Sequence, residues 1–258
     1  MAGWIERIVQ SSYQQWAVLN GAILFYTRIP LPSSWPVAFD RIALLVPVVG
    51  IGIGGLLAVV DWALGLPLFL RSVLAVMLWV WLTGGLHLDG AMDTADGLAV
   101  QDDQRRLLVM TDSRTGAFGV MVAIAILLLK ISALAAIDGR WFALVSAAAW
   151  GRWAQQWAIA RYPYLKPEGK GAFHKQALPS PGHTLPSAIG LLCLTGVVTV
   201  VGWVPWPAAL VTVAVGIGAA WLLAGWLNCR LGGHTGDTYG AMVEWVEVAV
   251  LVALASVG

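Results

Sequence analysis

The chain has 258 residues, of which 59% are hydrophobic and 11% charged, with a net charge of +1 and a mean hydropathy of +0.78. A soluble domain averages about 45–50% apolar and about 25% charged residues, and this chain has too little polar surface to cover the outside of a water-soluble fold. The balanced charge also gives no field that would point to nucleic acid.

Composition therefore predicts an all-α polytopic transmembrane bundle of about seven spans in one domain, residues 1–258, with 15 tryptophans suited to interfacial belts. Cys193 and Cys229 lie in or beside apolar runs and read as packing residues, with no disulfide framework implied. No cleavable signal peptide is expected, because Glu6, Arg7 and the polar run 11–15 leave no early apolar core.

In chain order, the run 16–25 is too short to cross a bilayer, which takes about 20 apolar residues, and is expected to form an interfacial or re-entrant helix. The first span is expected at 42–60, after Arg28 and Arg41. The second, 72–85, spans only if it extends through Leu88. It runs directly into Asp89, Asp93 and Asp96, spaced i, i+4, i+7. On a helix these positions share one face, and each aspartate costs about 2.5–3.5 kcal/mol at a span's centre. Three converging carboxylates call for a cation to offset them, and oxygen-only ligands suit Mg²⁺ or Mn²⁺. A solvated acidic loop and a proton or ion path are the competing readings.

Arg105 and Arg106 follow, then Asp112, Ser113 and Arg114 at the entry to the third span, 118–137, where a helix N-terminus could meet an anion. Lys130 within that span is expected to snorkel to the interface. The fourth span, 142–160, carries Arg152, directed either to phosphate or to Glu244 and Glu247. Arg161, Lys166, Lys170 and Lys175 follow it, then spans at 185–201 and 208–227, then Arg230. The glycine-rich segment 232–240 contains Gly233, Thr235, Gly236 and Asp237, and its amides could approach phosphate closely. The last span, 241–257, has Glu244 and Glu247 on one face, where intramembrane carboxylates seldom lack a partner.

Lysine and arginine place the long polar loops and the N-terminus on the cytoplasmic side, with only Arg71, Arg140 and the turn 203–206 opposite. Carboxylates for a divalent ion, with arginines and glycine turns for phosphate, describe diphosphate chemistry.

Several ordered blocks resemble the cobalamin synthase (adenosylcobinamide-GDP ribazoletransferase) family. They are Phe25-Tyr26-Thr27-Arg28-Ile29-Pro30, Pro47-Val48-Val49-Gly50, Gly85-Leu86-His87-Leu88-Asp89-Gly90, Asp93-Thr94-Ala95-Asp96-Gly97, Met110-Thr111-Asp112-Ser113-Arg114-Thr115-Gly116 and the segment 232–241 with Glu244 and Glu247. The resemblance implies a Mg²⁺-dependent, multi-pass enzyme of the cell inner membrane with its active site facing the cytoplasm. Such enzymes join adenosylcobinamide-GDP to α-ribazole, or its 5′-phosphate, and release GMP. A homo-oligomer or a complex with other enzymes of vitamin B12 synthesis is left open.

On this basis Asp89, Asp93 and Asp96 are expected to hold one or two Mg²⁺, and Glu244 and Glu247 a second metal position. Arg28, Arg114 and Arg152, with Asp112, Ser113, Gly233, Thr235 and Gly236, are expected to bind substrate. His87 or Asp237 would accept the hydroxyl proton. The rivals are a CDP-alcohol phosphotransferase, a UbiA-like prenyltransferase and an ion-coupled transporter. The motif spacings of the first two and the internal symmetry of the third are not found.

Overall fold

The computed structural model describes residues 2–166, 168–169 and 171–257, with side chains from residue 12 onward. Lys170, one of the charges that sort the loops, lies outside the described residues. The described chain is helical: α1 (Ala2–Tyr26), α2 (Val46–Ala63), α3 (Leu68–Leu82), α4 (Leu86–Ala99), α5 (Asp103–Val109), α6 (Ala117–Ala135), α7 (Arg140–Arg161), α8 (Ala172–Ala177), α9 (Leu185–Val200), α10 (Trp206–Leu231) and α11 (Gly236–Ala255). No strand occurs among the described residues; one isolated parallel bridge joins Tyr164 to His234.

Five helices are long and apolar enough to cross a membrane: α2, α6, α9 with its lead-in from Pro181, α10 and α11. The bent pair α3 and α4 counts as a sixth, so the chain is built as a multi-pass membrane protein. The remaining expected span, the fourth at 142–160, is α7. Its 22 residues suffice for length, but its composition is too polar to count by apolarity. The reason is its place: 18 of those 22 residues are buried, so α7 faces other helices and needs no lipid-compatible surface.

Small residues let helices close on α7. A side-chain carbon at Gly50 would lie 2.5 Å from the carbonyl oxygen of Ala148, and one at Gly54 2.5 Å from the Cα of Val145. Gly50 and Gly54 form a small-xxx-small pair, which lets backbones approach where no hydrophobic effect drives association.

Two expectations are corrected. The helix expected at 16–25 belongs to the 25-residue α1. The second span does not continue straight through Leu88: Gly84 and Gly85 adopt φ of 64° and 73°, and α4 turns 87° from α3. Left-handed backbone costs other residues about 1–2 kcal/mol each, so the glycine pair permits the turn that swings the aspartates out of the span's axis.

Polar contacts define two ends of the bundle. At one, Asp61 of α2 bonds Arg71 of α3 (2.6 Å) and Arg140 of α7 (2.6 and 2.9 Å). Arg140 also donates to Ser72 (2.9 Å) and to the carbonyl of Leu134 on α6. At the other end, Arg28 donates its amide to Leu82 (2.7 Å), Arg106 reaches the Arg230 carbonyl (3.0 Å), and Lys166 meets Asp237 (3.1 Å).

Candidate active site

The second end carries the residues at which the sequence leads one to expect chemistry. It is assembled where α4 lies on the start of α11. A side-chain carbon at Gly90 would be 2.6 Å from the Asp237 carbonyl, and one at Gly240 2.8 Å from that of His87. Only glycines fit this crossing, and they bring Asp89 and Asp93 of α4 towards Asp237 of α11. The charges of Asp89, Asp237, Asp96 and Lys166 all act on Asp93. Asp89 is exposed, Asp93 and Asp237 half-buried.

Asp96 does a different job. Its two oxygens accept from the amides of Gly116 (2.7 Å) and Gly119 (2.8 Å), capping the N-terminus of α6. A carboxylate there satisfies two free donors and complements the helix dipole. Among the described residues, no three acidic, histidine or cysteine side chains meet closely enough to form a metal site.

Asp237 is held by two neighbours. Lys166 bonds it at 3.1 Å and the Thr235 hydroxyl at 3.2 Å. Thr235 also caps α11 in a reciprocal capping box with Thr238. The lysine is delivered by the segment after α7: Leu165 donates to the His234 carbonyl (2.8 Å) and His234 to that of Pro163 (2.9 Å). Gly233 is packed beneath Leu165, while Gly236 is exposed. Lys166 served only as a topological charge in the sequence; no spacing links it to Asp237 across 71 residues.

Arg28 is exposed and lies over the α3–α4 turn, where a side-chain carbon at Gly84 would be 3.0 Å from its Nε. Arg114 is also exposed and grips Asp112 at 2.7 Å, which holds that carboxyl below its ordinary range. Ser113 beside them is exposed.

Deeper in, the structure departs from expectation. Lys130 does not snorkel: it is 2% exposed, points inward, and bonds Glu244 (2.6 Å) and Glu247 (2.5 Å) beneath the Trp79 ring. Arg152 donates to Glu247 at 3.0 Å. The second metal position expected at Glu244 and Glu247 is corrected accordingly: two buried cations of the chain already balance the two carboxylates. Arg152, expected at phosphate, has no solvent exposure, and of its two expected directions the structure shows the one towards Glu247. Among the described residues its Nε and Nη2 have no partner, and neither does either ring nitrogen of His87 or the Tyr239 hydroxyl, all buried. His87 stacks on Tyr26, with ring centroids 6.4 Å apart, beneath the surface that carries Asp89.

The family model described as "Cobalamin-5-phosphate synthase" matches residues 18–255. The chain is similar to adenosylcobinamide-GDP ribazoletransferase of Trichormus variabilis, 54% identical over 92% of this chain and 95% of that protein. Proteins of the same name in a Synechococcus species and in Thermosynechococcus vestitus are 51% and 47% identical, covering 93% and 95% of this chain and 96% and 97% of theirs. No solved structure matches significantly. With the family model spanning all but the two ends, this chain belongs to the cobalamin-5-phosphate synthase family.

Proposed function

We propose that the chain works as one domain in the inner membrane and joins adenosylcobinamide-GDP to α-ribazole, or its 5′-phosphate, releasing GMP at the cytoplasmic face. The single observation that carries the site assignment is the Gly90–Gly240 crossing, which sets Asp89 and Asp93 against Asp237 at the end rich in exposed arginine.

The donor set fits a hard divalent cation: carboxylate oxygens that repel one another, two of them with no hydrogen bond from the described residues. Asp89 and Asp93 would hold Mg²⁺. Bound there, it would neutralise charge developing on the diphosphate. Asp96, grouped with them by spacing, keeps the cap of α6 and so fixes α4 against that helix.

The remaining steps belong to the chain's own groups. Arg28, and Arg114 through the guanidinium nitrogen that Asp112 does not hold, bind phosphate oxygens from the water side. A ribose hydroxyl of the acceptor attacks the phosphorus attached to cobinamide; the bond from that phosphorus to the bridging oxygen breaks, and GMP leaves with the oxygen. Asp237 takes the hydroxyl proton, since Lys166 and Thr235 orient it at the open rim. His87 is sealed behind the Tyr26 ring and acts as a positioning residue for the first turn of α4.

The test is GMP release by purified protein supplied with adenosylcobinamide-GDP, α-ribazole and Mg²⁺. GMP and cobalamin formed together, and lost with EDTA, support the reading. GMP released without cobalamin, or turnover indifferent to EDTA, would overturn the metal-dependent transfer. The same measurement excludes a transporter.

A further inference from the structure

The rear of α4 borders a groove that the reaction does not use. Its volume is about 400 Å³, within the range of ligand sites, and Ala91, Thr94, Leu98, Phe118, Leu223 and Trp226 line it from α4, α6 and α10. At 100° per residue, Ala91, Thr94 and Leu98 centre on the face of α4 opposite Asp89 and Asp93. A water-soluble substrate held at the aspartates would have to pass around the helix to reach it. The mouth lies among side chains that face outward: Phe118 is 55% exposed and Trp226 47%.

Two polar features break the apolar lining. The Thr94 hydroxyl is buried and has no hydrogen-bond partner among the described residues. At the rim the Arg230 guanidinium lies 5.9 Å from the Trp226 ring centroid, and no carboxylate bridges it among the described residues; the nearby Asp103 is taken by Arg106 (2.5 Å). The occupant must supply apolar length, an acceptor for Thr94 and negative charge for Arg230.

We propose that this groove binds an anionic phospholipid, with an acyl chain along α4, an ester carbonyl at Thr94 and the phosphate at Arg230. Because α4 carries Asp89 and Asp93 on its other side, the lipid stiffens the helix that presents them. That consequence rests on the proposed role of these aspartates; the site itself does not.

Native mass spectrometry of the full chain, titrated with phosphatidylglycerol or phosphatidylcholine of matched acyl chains, tests the site. Phosphatidylglycerol adducts should be retained preferentially. Arg230→Gln should weaken them about fivefold, and Ala95→Phe, which fills the groove from α4, should remove them. Hydrogen–deuterium exchange in nanodiscs should slow at residues 86–99 when phosphatidylglycerol replaces phosphatidylcholine, and not in Ala95→Phe. Equal retention of both lipids, exchange at 86–99 that ignores the headgroup, or a stable dimer that excludes lipid would overturn the proposal. GMP release measured on the same samples reports separately on the transferase reading.

Discussion

The two ends of the bundle handle charge in opposite ways. At the far end Asp61 has both oxygens bonded and Arg140 all three guanidinium nitrogens, across four helices. At the near end the side chains of Asp89, Asp93 and Arg28 make no ion pair among the described residues, and Lys166 reaches Asp237 from a loop. A closed set of polar groups fastens helices together. Charges left open beside each other serve something that arrives from outside. Between the ends lies a third kind of site, the Lys130–Glu244–Glu247–Arg152 quartet, balanced in charge yet with two Arg152 nitrogens unpartnered among the described residues.

This contrast can be broken experimentally. The largest effect should come from the open end: Asp93→Asn should lower kcat by about 10²–10³-fold, the scale of losing one charge-stabilising group, with the unfolding midpoint in detergent unchanged. A matching fall in stability would make Asp93 structural. Next, Asp61→Asn and Glu247→Gln should each cost about 3–5 kcal/mol of stability, as breaking a buried pair strands its partner. The readout is yield and thermal unfolding, and the Asp61 variant that folds should keep its kcat. Third, Gly84→Ala should cost about 1–2 kcal/mol and displace Arg28, raising KM more than it lowers kcat.

The smallest effect concerns pH. His174 and His234, both outside the spans, are pressed down to about 4 by burial. Between the ordinary value of 6.5 and about 4 the unfolded chain binds more protons than the folded one, so stability is complete above 6.5 and declines as pH falls through that window. His174→Asn should flatten the decline between pH 7 and pH 5; an unchanged slope would assign it to other groups.

Helix class, the acidic face and the glycine-rich entry to α11 could be read from period and composition, because each is a local pattern. What could not be read is pairing over distance. Arg71 and Arg140 looked like unrelated charges on one face, and Lys130 like a snorkelling lysine, until helices 79 to 117 residues apart in sequence closed on one another. The bend at Gly84–Gly85 was hidden because apolar residues continue on both sides and hydropathy does not register φ. Asp96 joined the metal group by spacing and by the family motif; its cap on α6 was not legible, because it depends on where α6 begins.

The polarity of α7 also imposes an order on biogenesis. Arg152 emerges from the ribosome 95 residues before Glu247, its partner, an interval of roughly 5–20 s at about 5–20 residues per second. Throughout that time α7 is too polar to settle in lipid unaided, and Lys130 waits in the same position. The helix must linger near the insertion machinery until α11 arrives, so the last segment made acts as the keystone. A chain arrested before residue 236 should leave α7 exposed to quality-control proteases.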